Sequence, residues 1–244
     1  MNLQKLILTN NACYKAGNTI TPKGIMVHST GANNPKLSRY VNPDDGLLGP
    51  NLYNNHWNQA TPDGRKVCVH AFIGKLKDGS IATYQTLPWN HQGWHSGGDA
   101  NNTHISFEIC EDGLVDPVYL RAVFNEAVEL CVHLCKLYNL NETQIICHSE
   151  GYKKGIATNH ADVMHWFPKH GESMDTFRAA VKKALAASAP TPAPALLTRE
   201  ECQAIIQSKC NFSHPQDVWV AIETHRFADE LYRRLAAAML PIYT

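Results

Sequence analysis

Gly24-Ile25-Met26-Val27-His28-Ser29 is the stretch on which the fold turns, an apolar run of strand length that ends on a histidine. A second run, Gln144-Ile145-Ile146-Cys147, also delivers a histidine, His148, and Asp162 follows in a polar loop. Strand ends and loops are where sites are built. The three residues therefore read together as candidate arms of one mononuclear zinc site. A catalytic zinc takes three protein ligands from imidazole, thiolate or carboxylate and leaves a fourth tetrahedral position for water. Thirteen histidines are scattered through the chain, so placement, and not residue type, singles these out. If they meet around one ion, the chain is expected to be a hydrolase.

Working outward from residues 24–29, three further segments read as strands, residues 67–74, 81–87 and 105–110, each short, apolar and bounded by Gly, Pro, Asn or Asp. Leu76-Lys77-Asp78-Gly79-Ser80 carries a hairpin signal, because Asp-Gly tolerates positive φ. Residues 119–138 have helical periodicity, with Leu120, Val123, Ala127, Leu130, Leu134 and Leu137 near one face. A second helix is predicted over 173–187, with Met174, Phe177, Val181 and Leu185 inward. Strands interleaved with helices imply an α/β domain built on a mixed central sheet flanked by helices.

The alternating prolines of Ala189-Pro190-Thr191-Pro192-Ala193-Pro194 mark an extended linker, placed at 187–196, between a domain at 1–186 and a small all-helical domain at 197–244. Thr198-Arg199-Glu200-Glu201 is a capping-box pattern that opens a helix, and one further helical stretch is predicted from 215 to about 238. A unit this small is marginal alone, so wall binding or homodimerisation through these C-terminal helices is expected. Its Trp219, Phe227, Leu231 and Tyr232 read as core or dimer seam.

Lysine plus arginine equals aspartate plus glutamate at 22 each, which offers no electrostatic case for nucleic acid or an anionic membrane. A hydrophobic content of 44% supplies a proper core. No apolar run approaches membrane-spanning length, and residues 1–20 lack the pattern of a secretory signal, so synthesis in the cytoplasm is expected. The eight cysteines sit mainly within apolar segments and form no CxxC pair. Buried free thiols are the expected state.

With these pieces placed, residues 20–187 resemble the zinc-dependent N-acetylmuramoyl-L-alanine amidases, a family that includes phage lytic amidases and peptidoglycan recognition proteins. The resemblance rests on Ile25-Met26-Val27-His28-Ser29-Thr30-Gly31, Gly93-Trp94-His95-Ser96-Gly97-Gly98, Ile105-Ser106-Phe107-Glu108-Ile109-Cys110, and Cys147-His148 leading to Asn159-His160-Ala161-Asp162. It implies His28, His148 and Asp162 as zinc ligands, Asp162 standing where some relatives have Cys. It also implies Glu108 as the proton-transfer group, and strand alternation sets Glu108 on the face opposite Phe107 and Ile109. His160 falls where relatives often carry Lys and would stabilise the oxyanion. An alternative makes His160 the third ligand with Asp162 orienting it.

His95 lies in a Gly-rich loop where relatives contact substrate, and Trp94 offers an apolar wall there or a core contact. Relatives often have a tyrosine where Val69 stands, a departure that puts more weight on Glu108 and suggests His70 as a supporting group or substrate contact. His56 is a further candidate for the cleft. The implied activity is cleavage of the amide between the lactyl group of N-acetylmuramic acid and L-alanine of the stem peptide. The expected partner is peptidoglycan or a muropeptide, met at the wall after phage-type release or during cytoplasmic muropeptide recycling. The rival reading is a non-catalytic peptidoglycan-binding protein, since the same fold serves recognition when ligands are missing. A structural protein with incidental histidines ranks behind both.

Overall fold

The computed structural model describes residues 1–188 and 197–239. The chain divides into two compact units, Met1–Ser188 and Ala189–Thr244. The linker expected at 187–196 lies, from residue 189 onward, outside the described residues.

In the first unit the strands are β1 (Leu3–Lys5), β2 (Gly24–Asn33), β3 (Ala71–Lys75), β4 (Ile81–Gln85), β5 (His104–Glu111) and β6 (Ile145–Cys147), in the order β1-β4-β3-β5-β2-β6. Only β3 and β4 pair antiparallel; the other neighbours are parallel, so the sheet is mixed, as the interleaved pattern predicts. The helices are α1 (Ala12–Ala16), α2 (Pro117–Tyr138), α3 (His148–Lys153) and α4 (Met174–Ser188). The sequence reading missed β1 and α1, which at three and five residues are too short for periodicity to register. Residues 67–70 do not join β3; Cys68 bridges instead to Trp94.

Side chains alternate across the sheet, and the alternation decides which face carries chemistry. Ile25 and Val27 of β2 and Ile105, Phe107 and Ile109 of β5 point to the face covered by α2 and α4, joining Val123, Leu130, Phe177 and Val181 in the main core. On the opposite face Phe72, Tyr84 and Cys110 pack with Tyr40 and Trp57 from the connection before β3. His28 and Glu108 belong to this second face, and they are register partners on adjacent parallel strands. The main core thus fills one side of the sheet, and the other side carries a second core with His28 and Glu108 beside it.

Free thiols were expected throughout, but Cys13 and Cys68 form a disulfide that ties α1 to the segment before β3. The pair is 55 residues apart in sequence, so only tertiary structure brings it together. Cys110, Cys131, Cys135, Cys147 and Cys202 are free and buried, whereas Cys210 is free and exposed.

The second unit contains α5 (Arg199–Cys210), α6 (Pro215–Glu223) and α7 (Ala228–Met239). Thr198 caps α5 in a full capping box with Glu201. The single helix predicted over 215–238 is instead two, broken at 224–227. In one straight helix Trp219 and Tyr232 would lie roughly 20 Å apart. The break folds α7 back, so their ring centroids are 5.9 Å apart and both are buried with Cys202 and Ile206. Phe227, at the break, is exposed.

Candidate metal centre and active site

His28 sits in the middle of β2, which runs on to Asn33 where the sequence suggested a strand end at the histidine; its neighbour Val27 pairs with Cys147, the last residue of β6, and His148 follows as the first residue of α3. The parallel register of β2 with β6 sets the next residue of each chain level, so the two histidines arrive side by side with their ring centroids 4.9 Å apart. Asp162 comes from the loop after α3. His28 Nδ1 lies 2.9 Å from Asp162 Oδ2 and 3.2 Å from His148 Nδ1, and His148 Nδ1 lies 3.7 Å from Asp162 Oδ2. Three tetrahedral donors, each about 2.0–2.1 Å from a zinc ion, are roughly 3.3 Å from one another. These spacings, and a donor set of two imidazoles and one carboxylate, fit that ion.

The outer ring nitrogens are occupied in a way that turns the inner ones toward the site. Thr158 Oγ1 donates to the Ser96 carbonyl at 3.0 Å, which leaves the same oxygen to accept from His148 Nε2–H at 3.3 Å. His148 then carries its proton on Nε2 and presents a lone pair at Nδ1. His28 Nε2 faces His95 Nδ1 at 2.9 Å, so Nδ1 of His28 is likewise freed once Nε2 donates. Burial, with the adjacent His28, pushes the His148 pKa down to about 4, which favours the neutral imidazole that a metal needs. Burial raises the affinity of Asp162 for its proton, but the adjacent His28 and His148 rings outweigh it and hold the carboxyl below its usual range.

The Gly-rich loop reaches this site because it has no side chains in the way. At Gly97, whose φ is +66°, a Cβ would stand 2.6 Å from Thr158 Cγ2, and at Gly98 it would stand 2.6 Å from the Ile156 carbonyl oxygen. That close approach lets the Thr158 N–H reach the Ser96 carbonyl at 2.8 Å and seats Thr158 against His148.

All of this opens into a cleft of about 810 Å³ whose walls include Trp57, Arg65, Trp94, Glu108, His160 and His165. Glu108 Oε2 is shut off from solvent and has no hydrogen-bond partner among the described residues. Burial, reinforced by Asp162 and Glu111, pushes the Glu108 carboxyl well above the usual carboxylate range, against a smaller pull from Arg65. A carboxyl whose proton affinity is raised in this way is suited to proton transfer.

His160 stacks on His148 with 4.6 Å between centroids and is exposed at the mouth of the cleft. His95 is in the cleft, its Nε2 buried and unpartnered, and burial together with His28 depresses its pKa. Trp94 lines the cleft beneath the Lys66 ammonium, 5.7 Å from its ring centroid. His70 does not reach the cleft. It is fully buried, with Nδ1 accepting from the Ser106 N–H at 3.0 Å and Nε2 donating to the His91 carbonyl at 2.8 Å, so both nitrogens are spent inside the fold. Val69 and His56 are also buried, and neither is among the cleft-lining residues.

Arg65, Lys66, Thr158 and His165 were not anticipated. Each is an ordinary residue type in a loop, and no spacing rule connects them to His28.

Residues 18–165, more than half of the chain, match the family described as N-acetylmuramoyl-L-alanine amidase. The structure of PlyL is 21% identical over 75% of this chain and 96% of its own, with a TM-score of 0.50. The Staphylococcus aureus hydrolase AmiA, solved with its ligand, is 17% identical over 75% of this chain and 82% of its own, with a TM-score of 0.52. At these identities the two structures bear on the fold alone. No curated protein matches the sequence. The matched residues contain the strand that delivers His28, the glutamate beside it and the helix start that delivers His148, and the chain belongs to the N-acetylmuramoyl-L-alanine amidase family.

Proposed function

We propose that this amidase cuts the bond between the lactyl carbonyl of N-acetylmuramic acid and the amine of L-alanine, with zinc held by His28, His148 and Asp162. The observation that carries the reading is the convergence of His28 Nδ1, His148 Nδ1 and Asp162 Oδ2 beside the unpartnered Glu108 Oε2. A zinc ion held by these three side chains would supply polarisation of the scissile carbonyl and a water made nucleophilic near neutral pH. Glu108 takes the proton from the attacking water at a carboxylate oxygen and passes it to the departing L-alanine nitrogen. His160, at the cleft mouth, directs a ring N–H toward the oxygen that gains charge as the carbonyl becomes tetrahedral. Asp162 is assigned as the third ligand in preference to His160 because its carboxylate faces both Nδ1 atoms, whereas the His160 ring lies against the side of His148.

The substrate class puts the action of the protein at bacterial peptidoglycan. Among the described residues no helix is long and apolar enough to cross a membrane. The C-terminal helices are assigned to wall binding or self-association.

The test is purified cell wall incubated with the metal-loaded protein. New amino termini should appear, with mass spectrometry placing them on L-alanine. Glu108→Gln should retain zinc at one equivalent and lose at least about a hundredfold in kcat. Binding to wall without release of amino termini would overturn the catalytic reading. Full turnover by Glu108→Gln would overturn the role of that residue.

A further inference from the structure

Beyond the metal ligands and Glu108, a second carboxylate–imidazole pair, which the mechanism above does not use, reaches the cleft through its imidazole, His165, with Glu111 buried behind it. Glu111 ends β5 beside the irregular end of β2, and its side chain is only 6% exposed. Its Oε1 accepts from the Gly31 N–H at 3.1 Å and lies 2.9 Å from His165 Nε2. Its own N–H donates to Thr30 Oγ1 at 3.2 Å, so the strand end is pinned as well as the carboxylate.

His165 stands three residues beyond Asp162 in a tight turn, where its N–H bonds the Ala161 carbonyl. Its side chain is 31% exposed and lines the cleft. No hydrogen bond within the described residues reaches His165 Nδ1, and that atom is not shut off from solvent.

A carboxylate that accepts from one ring nitrogen fixes the tautomer, leaving the other nitrogen as an acceptor. With Nε2–H committed to Glu111, the free lone pair of His165 sits on Nδ1, the solvent-reached nitrogen of a residue that lines the cleft. We infer that His165, oriented by Glu111, is a substrate-contacting residue that accepts a hydrogen bond from a peptide N–H of the stem peptide. Glu111 is a positioning residue that acts through it. The inference rests on the amidase reading, since the peptide is that reaction's substrate.

Steady-state kinetics on a soluble muramoyl peptide test it, with zinc content and Tm measured for each variant. His165→Gln keeps a side-chain amide near the Nε2 position to donate to Glu111 but removes the acceptor at Nδ1. It should keep its zinc and the wild-type Tm, and raise KM about five- to ten-fold with a smaller change in kcat. His165→Asn places an amide oxygen near the Nδ1 position and should recover part of the KM while lowering Tm, because Glu111 loses its donor. Glu111→Ala should raise KM as His165→Ala does, and the double variant should be no worse than either alone.

A KM for His165→Gln within about twofold of wild type, in protein that turns over normally, overturns the inference and leaves the amidase reading standing. Equal KM for the Gln and Asn variants overturns the acceptor role. Wild-type protein that releases no amino termini refutes the amidase reading itself, an outcome distinct from either.

Discussion

Each imidazole at the centre has one nitrogen for the site and one for the protein, and the outer partner decides how well the inner one binds. For His148 that partner is Thr158 Oγ1, which can only accept because its proton is given to Ser96. Thr158→Val keeps the volume and removes both hydrogen bonds. It is expected to weaken zinc binding about ten- to a hundred-fold, read by competition against a chromophoric chelator, while the fold persists by circular dichroism. Unchanged affinity would mean that the His148 ring is held by its packing alone.

At the scale of elements, the junction of β6 with α3 delivers His148, and a side chain from α4 clamps it. Arg178 donates to both oxygens of Glu150, at 3.0 Å each, and to the Ile145 carbonyl at 3.1 Å, while Glu150 Oε2 accepts from the Cys147 N–H. The clamp joins strand, helix start and flanking helix in one network, with Arg178 and Glu150 only 21% and 26% exposed. Arg178→Ala should therefore cost about 1–2 kcal/mol, more than an exposed ion pair would. Urea denaturation of the metal-free protein measures this directly. A loss below about 0.5 kcal/mol would show that the junction is held by β6 pairing and core packing without the clamp.

For the whole molecule, acid should be destabilising in a window set by buried neutral histidines. Burial pushes the His70 pKa down to about 4 from 6.5. Between these values the unfolded chain binds a proton that the folded chain refuses, so stability is fully present above about pH 6.5 and falls as pH drops toward 4. The geometry supplies the reason: a proton on Nδ1 would confront the Ser106 N–H that now donates to it. The loss from this one group is on the order of 3 kcal/mol. The Tm of metal-free protein, followed from pH 7 to 4, should fall more steeply in the wild type than in His70→Gln. Parallel pH profiles for the two proteins would contradict the assignment.

Much of this was legible in the sequence because period and order are local properties. Apolar runs bounded by turn residues predicted β2 to β5 to within a few residues, the stripe from Leu120 to Leu137 predicted α2 although Leu137 itself is exposed, and Thr198 with Glu201 announced the start of α5. The family followed from motif order, and the face of Glu108 followed from strand alternation. What the sequence could not carry were relations between distant residues that leave no periodic trace. Cys13 finding Cys68, the turn that splits the C-terminal stretch so that Tyr232 meets Trp219, and His70 buried where a substrate contact was expected all belong to this class. The sequence by itself determined which residue types lie on which strands. Only the tertiary structure decided which ring nitrogen faces inward and which partner holds the other, because a hydrogen-bonding direction depends on the three-dimensional position of both its ends.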